Sequence, residues 1–185
     1  MIENSIKFVY ERSFSLNDLG AATVRLIYPD GEVQPAANYF PDIGLQFLEV
    51  TRLFRICKKY YFSKRPTIDY NKNFTADWIW GTFYFFPKKN LELFDGKLPD
   101  TFFMYGEDVE WGYLLAKKNL KSYYFSDSTI IHHSGKSLYK ERNVALTKNS
   151  RHFIKKYYGN LHCFAFIFLT AAGNFIEGKK KKFHF

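Results

Sequence analysis

The sequence Phe102-Phe103-Met104-Tyr105-Gly106-Glu107-Asp108-Val109-Glu110-Trp111 joins an aromatic run, a glycine and a pair of carboxylates in one short segment. Asp108, Trp111 and Leu115 recur at helical spacing, which predicts a helix that begins at Glu107 and ends near residue 118. Acidic residues in a first turn stabilise the helix dipole by roughly 0.3–1 kcal/mol each, so the carboxylates have a purely structural interpretation. They also have a chemical one, because a buried carboxylate beside another acquires a raised pKa and can act as a general base.

A second polar cluster, His132-His133-Ser134-Gly135-Lys136-Ser137, follows strands predicted over residues 121–125 and 129–132. Successive strand residues point to opposite sides, so only one of the two histidines can face a given site. The structural interpretation is one imidazole in the core and one exposed. One histidine is too few for a protein-only zinc site, but it can complete a Mg²⁺ or Mn²⁺ site whose other ligands are carboxylates and a diphosphate. The sequence offers no second cluster that would supply those carboxylates.

Hydrophobic periodicity and turn residues predict alternating helices and strands along the rest of the chain. The segments are helices over residues 2–19, 43–57, 88–94 and 138–158, and strands over 21–28 and 77–86. The strand over 77–86 is so apolar that burial on both faces is expected. Asn119 and Gly159 stand where helices are expected to end. This alternation predicts an α/β layered domain.

The composition is that of a folded protein attracted to polyanions. The 185 residues are 46% hydrophobic and 21% aromatic, which excludes a disordered chain. A formal net charge of +9 predicts attraction to nucleic acid, anionic lipid or phosphorylated substrates. Cys57 and Cys163 lie in apolar patterns, so both are expected to be buried free thiols in a reducing compartment. The first residues lack a signal-peptide pattern, and a cytoplasmic location is therefore expected.

The last segment combines an apolar stretch, residues 161–176, with four lysines at 179–182. The stretch is shorter than the roughly 20 residues of a spanning helix. An apolar segment beside a polybasic run predicts an interfacial anchor at the inner face of the plasma membrane, on anionic lipid. The alternative is a helix docked on the protein's own core.

Several motifs taken in order resemble one known family. They are Pro29-Asp30-Gly31, Asp77-Trp78-x-x-Gly81, residues 102–110, and Ile130-Ile131-His132-His133-x-Gly135-Lys136-Ser137. This order resembles the C-terminal half of family-two glycosyltransferases, and in particular the rhamnosyltransferase-like group of bacterial polysaccharide synthesis. The resemblance covers about residues 1–160, which would form the acceptor side and carry the catalytic base, and it leaves 161–185 as an apolar helix with a polybasic tail.

The resemblance implies an α/β fold of the GT-A type, a mixed sheet with flanking helices, and an inverting mechanism. It implies a nucleotide-sugar donor, a divalent metal (Mg²⁺ or Mn²⁺), and transfer of a sugar such as rhamnose to a glycan or lipid-linked acceptor. Asp108 would be the catalytic base, with Glu107 positioning it or the acceptor. One of the pair His132 and His133, with His132 preferred, would approach the metal and the diphosphate. The substrate-binding residues would be Asp77, Trp78, Gly81 and Trp111.

The sequence departs from the family at Leu114, where an arginine is usual, at Trp80, where a small residue is usual, and at Ser134, where glycine is usual. The family's N-terminal half also carries a nucleotide pocket and an Asp-x-Asp metal motif, and no such triplet stands in this sequence. We therefore expect the chain to lack most of the donor-binding half and to have little transferase activity alone.

Two other function classes compete with the enzyme. A non-catalytic module could use the same aromatic surface to hold a glycan or a partner chain. Nucleic-acid binding ranks last, because the sequence contains no recognition helix, zinc finger or aromatic RNA-binding signature.

Overall fold

The computed structural model describes residues 2–102, 104–133 and 139–182, so Phe103 and the Ser134–Ser137 part of the histidine motif lie outside the described residues. The chain forms two compact units. Unit 1 comprises Met1–Phe40 and Ile68–Ala145, and unit 2 comprises Pro41–Thr67 and Leu146–Phe185. The functional division at residue 160 stays a prediction.

Unit 1 is built on a small mixed sheet. Its elements are α1 (Ile2–Ser13), β1 (Leu19–Ile27), β2 (Ala37–Asn38), β3 (Phe74–Ala76), β4 (Trp78–Ile79), a 3₁₀ helix (Lys88–Phe94), α4 (Glu107–Lys117) and β5 (Lys121–Ile131). β5 lies between β1, to which it is parallel, and β3, to which it is antiparallel. β2 and β4 form a separate antiparallel pair. The expectation of an α/β protein with a mixed sheet and flanking helices is confirmed at this level.

The prediction of a strand over residues 77–86 is wrong. Only Trp78–Ile79 is strand, and the segment turns at the exposed Gly81 instead of continuing. The chain returns to the sheet at Phe85, which exchanges two backbone hydrogen bonds with Ala22. Most of the side chains are half-buried and not covered on both faces. Apolar composition alone does not distinguish a straight buried strand from a loop folded over a core.

The two strands expected over 121–125 and 129–132 are one strand with a bulge. Val24 pairs with Phe125 and the next residue, Arg25, pairs with Thr129. The three residues between, 126–128, are therefore left out of register with β1. The polar residues 126–128 are typical of a turn and predict a break between two strands. In the structure they form a bulge within one continuous strand.

Helix α4 begins and ends as its sequence predicts. It starts at Glu107, and Asn119 adopts a left-handed φ of 59° just beyond its last turn. At its start, Tyr105 has a φ of 65° and Gly106 a φ of 147°. An aromatic residue rarely adopts such a conformation, and strain of this kind persists where the surrounding packing imposes it.

Unit 2 is helical in its described residues. Its elements are α2 (Ile43–Thr51), a 3₁₀ turn (Leu53–Arg55), α3 (Lys58–Lys64), most of α5 (Tyr139–Tyr158) and α6 (Asn160–Lys182). The single helix expected over 43–57 is interrupted, because Arg52 caps α2 in the left-handed conformation. Gly159, with a φ of 89°, ends α5 as expected.

The two cysteines are free, but they differ in burial. Cys163 is buried, as its sequence pattern predicts. Cys57 is exposed, so the expectation of two buried thiols is wrong for this residue. The reason is the break after α2, which removes Cys57 from the apolar face that a continuous helix would have given it.

Candidate active site

Helix α4 and the segment around β4 bring most of the predicted site residues together. At Gly112 of α4, a Cβ atom would lie 2.6 Å from the Cβ of Trp78 and 2.7 Å from the carbonyl oxygen of Asp77. Only a glycine therefore permits this approach of helix and strand. Four residues later in the β4 segment, the backbone of Gly81 is hydrogen-bonded to the carboxylate of Asp108. Asp77, Trp78, Gly81 and the α4 carboxylates thus form one cluster, which we call the α4 site.

Asp108 is a carboxyl group whose proton affinity is raised by its surroundings. Burial is the largest cause, and the adjacent charge of Glu107 adds to it, so that the pKa rises from 3.8 to about 6. Hydrogen bonds from the backbone N–H groups of Val109 and Gly81 partly oppose this rise. A carboxylate of this kind is ionised at neutral pH and is also a stronger base than an exposed aspartate.

Glu107 supplies a second carboxylate group to the α4 site. Its Oε2 atom is buried and has no hydrogen-bond partner among the described residues. A buried acceptor without a donor is destabilising, by roughly 1–3 kcal/mol, unless something else supplies the donor. The hydroxyl group of a bound ligand would do so.

Tyr84 belongs to the site, although the sequence reading placed it inside a strand. Its hydroxyl is buried without a hydrogen-bond partner among the described residues. Burial, and then the charge of Asp108, raise its pKa, so the hydroxyl stays protonated at neutral pH. Its ring meets that of Trp111 edge-on at 5.2 Å between centroids. Nothing in the local sequence singles out this tyrosine, because only the turn at Gly81 directs it toward α4.

The polar side-chain atoms of Asp77, Trp78 and Trp111 are hydrogen-bonded to backbone groups of the protein. Asp77 Oδ2 accepts a hydrogen bond from the backbone N–H of Phe40 at 2.7 Å. The indole nitrogens of Trp78 and Trp111 donate to the carbonyl oxygens of Tyr39 and Pro99, at 3.1 Å and 2.8 Å. The indole rings are therefore fixed in orientation, and each would contact a ligand through its apolar face and not through its N–H.

His132 and His133 diverge, as alternation along a strand predicts. His133 is exposed, and His132 is half-buried beside Gln34. The side-chain nitrogen of Gln34 donates to the carbonyl oxygen of His132 at 2.8 Å, and its Oε1 lies 2.7 Å from His132 Nδ1. Since that oxygen can only accept, Nδ1 carries the proton, and Nε2 is the ring nitrogen left to meet a ligand.

The topology places His132 and the start of α4 at the same edge of the sheet. Residues 118–120 join the end of α4 to the start of β5, and Gly20 near the start of β1 lies against Leu115 and Leu120, so the carboxyl end of α4 lies at the amino end of these two parallel strands. His132 follows the carboxyl end of β5, and its N–H bonds Ile27 at the end of the parallel β1. Ligands of α/β proteins bind at this edge. His132 and Asp108 are held by different partners. His132 is bonded to Gln34 and Ile27, whereas Asp108 is bonded to Gly81 and Val109.

The residues present do not make a metal site by themselves. Within residues 2–102, 104–133 and 139–182, no group of three or more His, Cys, Asp or Glu side chains is placed to hold a metal ion. His132 offers one nitrogen ligand, and a single ligand does not hold Mg²⁺ or Mn²⁺. The assignment of His132 and His133 to a metal stays a prediction.

Comparison of the chain with protein-family models, with characterised proteins and with solved structures found no match.

Proposed function

We propose that unit 1 is the acceptor-binding, base-carrying half of an inverting glycosyltransferase of the GT-A type. Its substrates would be a nucleotide sugar and a glycan or lipid-linked acceptor, with rhamnose as an example of the sugar, as in bacterial surface polysaccharide synthesis. The observation that carries the proposal is the environment of Asp108: a half-buried carboxylate beside Glu107, at the start of a helix, where desolvation raises its pKa to about 6.

The proposed reaction requires Asp108 to accept one proton from the acceptor hydroxyl. In an inverting transfer, the acceptor hydroxyl attacks the anomeric carbon, the bond to the diphosphate breaks, and the proton of the hydroxyl must leave. Asp108 accepts that proton and becomes a neutral carboxylic acid, which its buried position favours. General-base catalysis of this kind typically contributes a factor of about 10²–10⁴ in rate.

The remaining groups of the α4 site position the acceptor. Glu107 Oε2 is an acceptor atom without a donor, which suits a second hydroxyl of the sugar. The protonated Tyr84 hydroxyl can donate to a sugar oxygen. The fixed rings of Trp78 and Trp111 offer apolar faces of the type on which sugar rings stack.

The test compares Asp108→Asn with Asp100→Asn, a matched change at an exposed aspartate of the same segment. Release of nucleoside diphosphate is measured in a full-length or reconstituted protein that supplies the donor-binding half, with a panel of nucleotide sugars, glycan acceptors and Mg²⁺ or Mn²⁺. Asp108→Asn should lose transfer by about 10²–10⁴-fold, and Asp100→Asn should keep it. The wild-type rate should rise with pH through an apparent pKa near 6. Transfer retained by a folded Asp108→Asn protein would remove this residue as the base.

Sugar binding separates the enzyme from the non-catalytic alternative. The chain's tryptophans, at positions 78, 80 and 111, all lie in unit 1, so quenching of their fluorescence by a glycan reports on this unit. Quenching without turnover of any donor in the full-length or reconstituted protein would favour a glycan-binding module. Turnover that depends on Asp108 would favour the transferase.

A further inference from the structure

The two units carry opposite shares of the charge. Unit 2 contains 14 of the 27 Lys and Arg residues but only three of the 18 Asp and Glu residues, a formal net charge of +11. Unit 1 contains the other 13 basic and 15 acidic residues, a formal net charge of −2. The basic character of the chain therefore belongs to unit 2 alone.

Helix α6 has one packed face and one exposed apolar face. On the packed face, Thr170 Oγ1 accepts a hydrogen bond from the Gln46 side chain of α2 at 3.0 Å, and Gly173 lies against Val50. The exposed face carries large side chains that have between 64% and 80% of their surface in solvent: Leu161, Phe164, Phe168 and Phe175. Their spacing of three, four and seven residues places them in one stripe along the helix. This stripe is the α6 apolar face.

The lysines of the tail extend the same helix. α6 continues to Lys182, so Lys179–Lys182 form its last turn, directly after the apolar face. The helix therefore carries an exposed apolar face that is followed directly by a cationic end, a combination typical of segments that bind at a membrane interface.

A second segment of unit 2 has the same character. Between α2 and the end of α3, exposed apolar residues alternate with exposed cations. Ile56 has 81% of its surface in solvent, and the others are Arg52, Leu53, Arg55, Lys58, Lys59, Tyr60, Phe62 and Lys64. Such a segment gives an anionic surface both charge contacts and apolar contacts.

We propose that unit 2 binds peripherally to a membrane surface that contains anionic lipid. α6 lies in the plane of the interface, with the α6 apolar face at the boundary of the acyl chains and Lys179–Lys182 among the headgroups. No helix in the part of the chain that the structure describes is long and apolar enough to cross a membrane. The contact is therefore made along the helix and not through the bilayer.

A lipid surface fits this unit better than either alternative occupant. Nucleic acid would engage the cations but has no use for aliphatic side chains such as Ile56 and Leu161, since its affinity comes mainly from phosphates. A second copy of the chain would offer a matching apolar face, but it would bring two units of +11 together, and like charges oppose association. Of these three occupants, the anionic bilayer is the one that complements both the charge and the apolar face.

The test is flotation of the whole chain with vesicles of phosphatidylcholine, with or without phosphatidylglycerol. Co-flotation should require phosphatidylglycerol at about 0.1 M salt and should weaken about tenfold or more at about 1 M salt, where the screening length falls from about 10 Å to about 3 Å. No flotation with anionic vesicles would overturn the proposal. Dimerisation through α6 in solution, or tighter binding to generic RNA than to these vesicles, would also overturn it.

Matched variants separate the two contributions. Phe164→Ser with Phe168→Ser should weaken anionic-vesicle binding about tenfold or more, whereas Phe14→Ser, a change of a 72% exposed phenylalanine in unit 1, should leave it unchanged. Replacing Lys179–Lys182 with glutamine should have a similar effect. The same replacement at Lys88, Lys89, Lys117 and Lys118 in unit 1 alters total charge equally and should have little effect. Equal losses in the two lysine variants would contradict a site in unit 2.

Discussion

Unit 1 and unit 2 use their polar and apolar residues in opposite ways. Unit 1 holds the main hydrophobic core around β1, β5 and α4, and every buried polar residue among the described ones lies in it, including Gln34, Asn90 and Glu110. Unit 2 exposes large apolar side chains and carries the net positive charge. Buried polar groups and exposed apolar groups are each costly. The two units concentrate these costly groups in different places, unit 1 in its interior and unit 2 on its surface.

The largest effect should come from the contact between α4 and β4. Gly112→Ala forces a Cβ to within 2.6 Å of Trp78 and 2.7 Å of a backbone oxygen, so the helix must move. We expect a loss of about 3 kcal/mol in the free energy of unfolding of unit 1. Urea unfolding followed by tryptophan fluorescence measures it, because the tryptophans report on unit 1.

Unit 2 supplies the matched control for that change. A Cβ at Gly173 would meet Val50 at 3.4 Å, an ordinary contact distance. Gly173→Ala should therefore stabilise α6 by about 0.5–1 kcal/mol, as in an unhindered helix, which circular dichroism can follow. Equal destabilisation by the two substitutions would contradict the close packing described for α4.

The next effect concerns the charge buried at Asp108. Its carboxyl has a pKa of about 6 in the folded protein and 3.8 as its ordinary value, a difference worth roughly 3 kcal/mol. Because the pKa of Asp108 is raised in the folded protein, the contribution of this group to stability is fully present below about pH 4. The contribution is lost as the pH rises through 6. Asp108→Asn removes the loss, so it should exceed wild type in stability at pH 7.5 and approach it at pH 4.

Thermal unfolding at both pH values checks this expectation. Asp100→Asn, at an exposed position, should show no such pH-dependent difference. An Asp108→Asn protein less stable than wild type at pH 7.5 would mean that the carboxylate stabilises the fold, and the interpretation of a strained base would fail.

A smaller effect should follow loss of the Gln34 side chain, which holds His132 by two contacts. Gln34→Leu should cost about 1–3 kcal/mol, because it leaves buried partners unsatisfied, and should release the tautomer of His132, visible in the nitrogen chemical shifts of the ring. In unit 2, Gln46→Leu removes one half-buried contact and should cost less. Nitrogen shifts of the wild-type protein that place the proton on Nε2 of His132 would refute the assignment to Nδ1.

The smallest effect should be that of Cys57, which tests how open unit 2 is. Cys57→Ser should change the free energy of unfolding by no more than about 0.5 kcal/mol, as expected of an exposed position. In the folded wild type, a thiol reagent should modify Cys57 rapidly and Cys163 only on unfolding. Equal reaction rates at the two thiols would show that α6 does not protect Cys163.

Local signals accounted for the parts of the fold that depend on few residues. The start of α4 at Glu107, the left-handed Asn119 and the end of α5 at Gly159 follow from helix-end chemistry within one turn. Segment 77–86 did not follow, because it turns at Gly81, where its backbone meets the Asp108 carboxylate of a helix that is distant in sequence. For the same reason the sequence did not indicate Tyr84 as a site residue. Asp108 and Glu107 could be predicted, because they are adjacent carboxylates at a predicted helix start.

The sequence by itself determined the helix that begins with adjacent carboxylates, the alternation of helices and strands, and the divergence of His132 from His133. Each of these depends on backbone geometry repeated every two or 3.6 residues. Only the tertiary structure decided that Asp108 is buried against Gly81 and Tyr84, and that the positive charge gathers in one unit with an exposed apolar face. Burial and the partition of charge depend on which distant segments meet, and no local periodicity encodes that.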